Sequence, residues 1–259
     1  LHGVSFHIND NEKAAIVGIN GAGKTTAFNV ITGVYAPTNG EVKFHGETII
    51  SNFPKGKMDK LYAGENKGKY KKTLEPTPDK ITKLGIARTF QNIRLFSALT
   101  VLDNVLIAKH MRAKQNFLSA TFRLNAKEEK RMREEAIALL EEQNLAHLKD
   151  EVAGSLPYGI QRHLEIARAP ATDPKLLLLD EPAAGMNPTE TAELLECINI
   201  IRDRFGVAIL LIEHDMSLVM NICDHICAIS FGKKLAYGTA EQIQASKEVQ
   251  EAYLGTGGA

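Results

Sequence analysis

Three observations predict an α/β fold with a mostly parallel sheet, an antiparallel β subdomain and an inserted all-helical subdomain. The first is a glycine-rich loop, G-I-N-G-A-G-K-T-T from Gly18 to Thr26, between an apolar run and a helical pattern. The second is a set of continuous apolar runs, Lys13 to Val17, Leu176 to Leu179, Val207 to Ile212 and His225 to Ser230. Such runs suit strands covered on both faces, as in a parallel sheet. The third is the stretch from Thr100 to about Ala169, which is helical in pattern with few strand signals.

Taken along the chain, Val4 to Ile8 and Glu41 to Phe44 alternate apolar and polar residues, bounded by Asn39-Gly40 and His45-Gly46. They read as antiparallel strands flanking the main sheet. Lys13 to Val17 is the strand that feeds the loop, and Thr25 to Thr32 the helix that leaves it. Pro54 to Pro78 carries seven lysines with Gly56, Gly64 and Gly68 interspersed, and reads as a solvated, mobile surface insertion. Contact with acidic lipid headgroups is the weaker reading, because only Tyr62 and Tyr70 interleave as aromatics.

Thr100 caps a helix from Val101 to Arg112. Asn125 with Glu128 reads as a capping box opening the charged helix Lys127 to Gln143. There Met132, Ala136, Leu139, Leu140 and Gln143 recur at helical spacing and form a packed face. A further helix runs from Gln161 to Ala169, and Asn187-Pro188-Thr189-Glu190 opens another. The chain thus reads as one domain over 1–259, with a core of 1–95 and 168–259, a helical subdomain over about 96–167 and the basic insertion over about 54–78.

Composition narrows the class. The 259 residues are 44% hydrophobic and 24% charged, and 31 basic residues balance 31 acidic ones. The whole molecule has no electrostatic bias toward nucleic acid or acidic lipid, and no nucleic-acid partner is expected. No apolar stretch approaches the ~20 residues that cross a bilayer. Leu1 to Asp10 lacks a charged-then-apolar leader pattern, so membrane association is expected through a partner. Cys197, Cys223 and Cys227 lack metal-ligand spacing, sit among apolar residues and read as buried thiols of a reducing cytosol.

The loop carries the chemistry. Gly18, Ile19, Asn20, Gly21, Ala22, Gly23, Lys24, Thr25 and Thr26 form a P-loop whose backbone N–H groups cradle phosphates. Lys24 reaches the β- and γ-phosphates, the Thr25 hydroxyl can join Mg²⁺, and the following helix N-terminus adds positive field. This is a P-loop NTPase core that takes a nucleoside triphosphate. Leu176 to Leu179 ends in Asp180-Glu181. Asp180 can hold Mg²⁺ directly or through water, and Glu181 can accept a proton from the attacking water. Gln91 and His214 each follow a presumed parallel strand, at the edge where open α/β sheets gather ligands. Gln91 can coordinate Mg²⁺ or orient water, and His214 can donate to the γ-phosphate. Leu156, Pro157, Tyr158, Gly159, Ile160 and Gln161 form a second glycine-containing loop at a helix start, hence a second anion platform. The helical subdomain is expected to lie far from the loop that holds Lys24, so a second subunit is the natural solution. Two chains would pack head to tail, each closing the other's nucleotide with its Gly159 backbone.

With these motifs in place the chain resembles the nucleotide-binding subunit of an ABC transporter, specifically the ATP-binding subunits of branched-chain amino acid importers. The supporting text is L-G-I-A-R-T-F-Q-N-I-R-L-F from Leu84, L-P-Y-G with R-H-L-E-I-A-R from Leu156, and L-L-L-L-D-E-P-A-A-G-M-N-P-T-E-T from Leu176. I-E-H-D-M-S-L-V-M from Ile212 and E-A-Y-L-G from Glu251 complete it. The resemblance implies a Walker A loop at Gly18 to Thr26, a Q-loop at Gln91 and a signature loop at Leu156 to Gln161. It further implies Asp180 as the Walker B carboxylate, Glu181 as catalytic base, Ala184 to Asn187 as the D-loop and His214 as the switch histidine. Asn92 to Phe96 would face a coupling helix of a membrane subunit. The implied cofactors are ATP and Mg²⁺. The implied partners are a second ABC ATPase subunit, membrane-spanning permease subunits and, indirectly, an extracytoplasmic substrate-binding protein, with the chain on the cytoplasmic face of the membrane.

Three departures from the family pattern stand out. Pro157 replaces the usual Ser, as it does in similar branched-chain importers; Ile160 replaces a polar residue; Pro170 replaces Leu at a helix end and is expected to shorten that helix. The family's adenine-stacking aromatic lies upstream of Leu1, and neither His2 nor Phe6 matches it. Rival readings are the ATPase of a urea or amide importer, a non-transport ABC protein acting on ribosome or DNA, and a nucleotide switch that hardly hydrolyses.

Overall fold

The computed structural model describes residues 1–70, 72–89, 92–110 and 126–253. The strands are β1 Lys13–Val17, β2 Gly40–Phe44, β3 Glu47–Asn52, β4 Ile86–Arg88, β5 Leu176–Asp180, β6 Ala208–Glu213, β7 His225–Ser230 and β8 Lys233–Gly238. The first helices are α1 Lys24–Ile31, α2 Asp59–Tyr62, α3 Pro78–Leu84, α4 Val101–His110 and α5 Ala126–Glu142. After these come α6 Tyr158–Ala167, α7 Pro188–Phe205, α8 Met216–Ile222, α9 Ala240–Ala245 and α10 Lys247–Tyr253. Two compact units emerge: Leu1–Phe6 with Ile16–Ile86 and Ile226–Ala259, and His7–Ala15 with Ala87–His225.

In the first unit, β2 and β3 form an antiparallel two-stranded sheet with a bulge between Val42 and Lys43. The expected His45-Gly46 turn closes it, with φ of 48° and 81°, the paired positive values that a two-residue hairpin of matching twist needs. Phe231 and Gly232 turn β7 into β8 the same way, again antiparallel. Along the sheet order, β1, β7 and β8 are successive neighbours.

The strand expected at Val4 to Ile8 does not form. Its alternation is real, with Val4, Phe6 and Ile8 half-buried and Ser5 and His7 exposed. The ladder there amounts to one bridge, His2 to Lys233, and the Lys234 ammonium on the Ser5 carbonyl. Side-chain alternation reports a half-covered face, but a strand also needs a backbone partner in register. The insertion also differs from a bare loop. Gly56–Met58 and Gly64–Asn66 are single 3₁₀ turns around α2, Ala63 is 3% exposed, and Ser51 pairs in both directions with Leu74.

In the second unit the neighbours run β4, β5, β6, β1. β5 and β6 pair in parallel from Leu176↔Ala208 to Asp180↔Ile212. Leu177 to Leu179 and Ile209 to Ile212 are wholly buried, so the continuous apolar runs are central strands as read. α4 packs on α5, whose Met132, Ala136, Leu139, Leu140 and Gln143 are all buried. Thr100 caps α4 by accepting the Asp103 N–H at 3.1 Å. Asn125, the expected cap of α5, lies outside the described residues. α6 starts three residues earlier than expected because Pro157, at φ −54° and ψ 150°, ends the extended segment and leaves Tyr158 free to enter the helix. It ends at Ala167, and Pro170 sits in the 3₁₀ turn Ala169–Thr172 that follows. The three cysteines are free and buried, and burial raises their thiol pKa, that of Cys227 to about 11. Among the described residues, no helix is long and apolar enough to cross a membrane.

Candidate functional site

The loop after β1 is shaped by three glycines with two different requirements. At Gly18 an added Cβ would stand 2.7 Å from the Ile229 carbonyl oxygen and 2.8 Å from the Ala22 Cβ, so the position admits no side chain. Gly21 and Gly23 instead need their backbone angles, φ 80° and 106°. The turn is tied by the Ala22 N–H on the Ile19 carbonyl at 3.1 Å, and the Gly232 N–H holds the Ala22 carbonyl at 2.9 Å. Gly23 is the N-cap of α1 and gives no side-chain bond to that helix. The Lys24 side chain is buried, and its ammonium donates to the Gly18 and Ile19 carbonyls at 2.6 and 3.3 Å. A cation is thereby held inside the loop's curl, where a phosphate oxygen would be its counter-charge. Thr25 and Thr26 lie exposed on the first turn, and Ile19, Asn20 and Gly21 form the exposed rim.

In the other unit, β5 delivers Asp180 and Glu181 to its C-terminal tip. Glu181 has φ 44° and its N–H bonds the Ile212 carbonyl at 2.9 Å, so the chain turns sharply out of the strand at that residue. Asp180, with a side chain 10% exposed, pairs with Arg88 at 2.9 Å. The turn is held from beneath by Arg162, which is 1% exposed. Its guanidinium donates to the carbonyls of Asp180, Glu181 and Pro182 at 2.9, 3.2 and 3.2 Å, and to the Glu165 carboxylate at 2.8 Å. Glu165 also accepts the Arg94 N–H at 2.9 Å. The segment from Asn92 to Phe96 is thus linked through two buried side chains to the carboxylate turn. Asn104 bonds both the N–H and the carbonyl of Phe96, whose ring is half exposed.

Glu213, at the end of β6, is buried and accepts from the Ala183 and His214 N–H groups at 3.2 and 3.3 Å. Burial raises its carboxyl pKa against those bonds, with the nearby Glu181 adding to the rise. His214 itself is 60% exposed, its Nδ1 3.7 Å from Glu213. Asp215 caps α8 beside it.

The second loop rests on α7. A Cβ on Gly159 would lie 2.6 Å from the carboxyl carbon of Glu190, the residue that completes the Asn187 capping box. Tyr158 reaches the Ala184 carbonyl at 3.5 Å, and the Gln161 amide folds back on the Leu156 carbonyl at 2.7 Å. α6 starts at Pro157 with no side-chain cap, so its first N–H groups are not consumed by a neighbouring hydroxyl or carboxylate.

Comparisons with known proteins show the family. A family model described as ABC transporter matches residues 1–184. The chain belongs to the ABC transporter family, as one of its ATP-binding cassettes. A second model, described as branched-chain amino acid ATP-binding cassette transporter, matches residues 233–259. The cassette is 42% identical over 98% of its length to BraF of Pseudomonas aeruginosa, a high-affinity branched-chain amino acid transport ATP-binding protein, of which it spans 91%. It is 38% identical to LivG of Escherichia coli K12, which bears the same description, with the same two coverages. The crystal structure of the ADP conformation of an ATP-binding cassette of an ABC transporter matches with TM-score 0.75 at 30% identity, covering 97% of this cassette and 91% of that chain.

Of the residues singled out in the sequence, Gly18 to Thr26 fall in one unit and Asp180, Glu181, His214 and Leu156 to Gln161 in the other. Gln91 lies outside the described residues. Sequence reading missed Arg162, Glu165, Glu213 and Arg88. The one available signal was Arg162 and Glu165 at i, i+3 on a helix that also carries Leu164, Ile166 and Ala167, since a charge pair buried there must be satisfied internally.

Proposed function

We propose that this cassette is the ATP-hydrolysing motor of an importer of branched-chain amino acids, working as a dimer on the cytoplasmic face of the membrane beneath permease subunits fed by an extracytoplasmic binding protein. The observation that carries the substrate class is the C-terminal match at residues 233–259, together with 38–42% identity to BraF and LivG over nearly the whole chain.

In this reading the Lys24 ammonium leaves the Gly18 and Ile19 carbonyls for the β- and γ-phosphates, while the N–H groups of Gly21, Gly23, Lys24 and Thr25 take the phosphate oxygens. Gln91 and His214 orient the water and the γ-phosphate. Glu181, lifted out of β5 by its positive φ, takes the proton of the attacking water. The Thr25 hydroxyl and the Asp180 carboxylate are each hard oxygen donors of the kind Mg²⁺ takes. When bound, Mg²⁺ neutralises charge on the β- and γ-oxygens. Leu156 to Gln161 caps the partner's nucleotide through the open N-terminus of α6. Catalysis is then mostly positioning and charge stabilisation, with Arg162 fixing the carbonyls on either side of Glu181.

The test is ATPase activity of the assembled complex with its permease and binding protein. Leucine-loaded binding protein is expected to stimulate phosphate release. Equal rates with empty and loaded binding protein, or stimulation by a urea-binding protein instead, would refute the substrate class.

A further inference from the structure

We propose that the lysine-rich insertion between β3 and α3 is a docking surface for the anionic headgroups of a lipid bilayer. Residues 54–74 contain seven lysines against two acidic residues, in a chain whose total charge is zero. The excess is therefore local. Lys55, Lys57, Lys60, Lys67, Lys69 and Lys72 are all exposed.

The apolar residues of the same segment point the same way. Met58, Leu61 and Tyr62 are 47%, 73% and 51% exposed. Their spacing of i, i+3 and i+4 puts them on one face of the turn that runs into α2. Leaving Leu61 in water is unfavourable, and a surface that pairs such a face with lysines is the composition of an interfacial anchor. Nucleic acid would use the lysines and leave Met58 and Leu61 wet.

The face is held in place. The Asn39 amide donates to the carbonyls of Tyr62 and Ala63 at 3.1 and 2.6 Å, fixing the end of α2. Ala63 is buried beneath it. Farther on, the Ser51 hydroxyl bonds the Lys72 carbonyl, and Ser51 exchanges two backbone bonds with Leu74. Lys67 pairs with Asp59 at 3.8 Å across the same fold. An open cleft of about 650 Å³ lies beside the face, with Phe53, Lys55, Asp59, Asn66, Lys67 and Tyr70 on its walls. Bilayer contact here would add to whatever hold the permease provides.

The full-length chain, mixed with sedimenting vesicles, tests this. Vesicles of phosphatidylcholine with about one third phosphatidylglycerol are expected to retain it at low salt, and pure phosphatidylcholine vesicles to leave it in solution. Lys57→Ala with Lys60→Ala should weaken retention about 25-fold, at roughly fivefold per lysine. Leu61→Ser should weaken it severalfold while keeping the salt dependence. The wild-type salt dependence needs no variant, so a folding defect cannot mask the answer. No retention on anionic vesicles, equal retention on neutral ones, or a double variant that sediments like wild type would each overturn the assignment. So would retention on single-stranded DNA or polyglutamate in place of vesicles. None of these outcomes bears on ATP hydrolysis, so this inference and the motor reading fail separately.

Discussion

Two kinds of helix start coexist in this molecule. α4, α7, α8 and α9 close their N-termini with their own side chains, from Thr100, Asn187, Asp215 and Thr239. α1 and α6 start at Gly23 and Pro157, residues that offer no side-chain bond to the helix. The first four N–H groups of any helix need partners. Capped helices satisfy part of that demand within the chain and gain about 1 kcal/mol. α2 and α3, after Met58 and Thr77, likewise lack a side-chain cap, but the starts of α1 and α6 are the loops that the motor reading gives to phosphate. Stability that a cap would supply is left for a ligand to supply.

That contrast can be broken in several places. The largest expected effect is chemical: Glu181→Gln should keep ATP affinity and lower phosphate release by about 100-fold or more, the usual contribution of a general base. Unchanged turnover in the assembled complex would remove Glu181 from its role. Next is Arg162→Met, which leaves Glu165 buried without its ion partner and strips three carbonyls of their donor. It should cost about 3–5 kcal/mol in urea-unfolding experiments. A loss under 1 kcal/mol would mean that the carboxylate turn holds itself.

Two smaller tests compare the helix starts directly. Asn187→Ala removes a working capping box and should lower stability by about 1 kcal/mol with little change in ATP affinity. Pro157→Ser adds a hydroxyl at the open start of α6. It should tighten ATP-driven dimer formation by about tenfold or more, the worth of one hydrogen bond to a charged group, with a smaller gain in monomer stability. A stability gain without tighter dimers would mean that the start is merely uncapped. The mildest expectation is a pH effect. Burial lowers the His163 pKa from 6.5 to about 4, and its Nε2 has no hydrogen-bond partner among the described residues. The native state thus resists protonation that the unfolded chain accepts below pH 6.5. Stability should fall as pH drops from 6.5 toward 4, by about 1–2 kcal/mol at pH 5. His163→Leu should flatten that limb of the urea midpoint against pH.

Much of this was legible from residue order because the strongest signals are local. Lys13 to Val17 and His225 to Ser230 match β1 and β7 residue for residue, since a continuous apolar run bounded by turns has few other uses. The capping box at Asn187 was equally plain. Val4 to Ile8 misled because alternation records which side is covered and not whether a neighbouring backbone is in register. Arg162 and Glu213 went unseen because their importance lies in burial beneath a turn formed by residues 18 to 32 positions away in sequence, or across strands. The lysine-rich insertion read as plain loop because Asn39 signals only a turn in sequence, and nothing there marks its amide as the anchor of α2 at Ala63.

The motor reading is tested most directly by leucine uptake into proteoliposomes containing this cassette with its permease and binding protein, and ATP on the cassette side. Uptake that depends on ATP and disappears with Glu181→Gln is the predicted result. Leucine accumulation that persists in that variant, or ATP consumption with no amino acid moved, would contradict it.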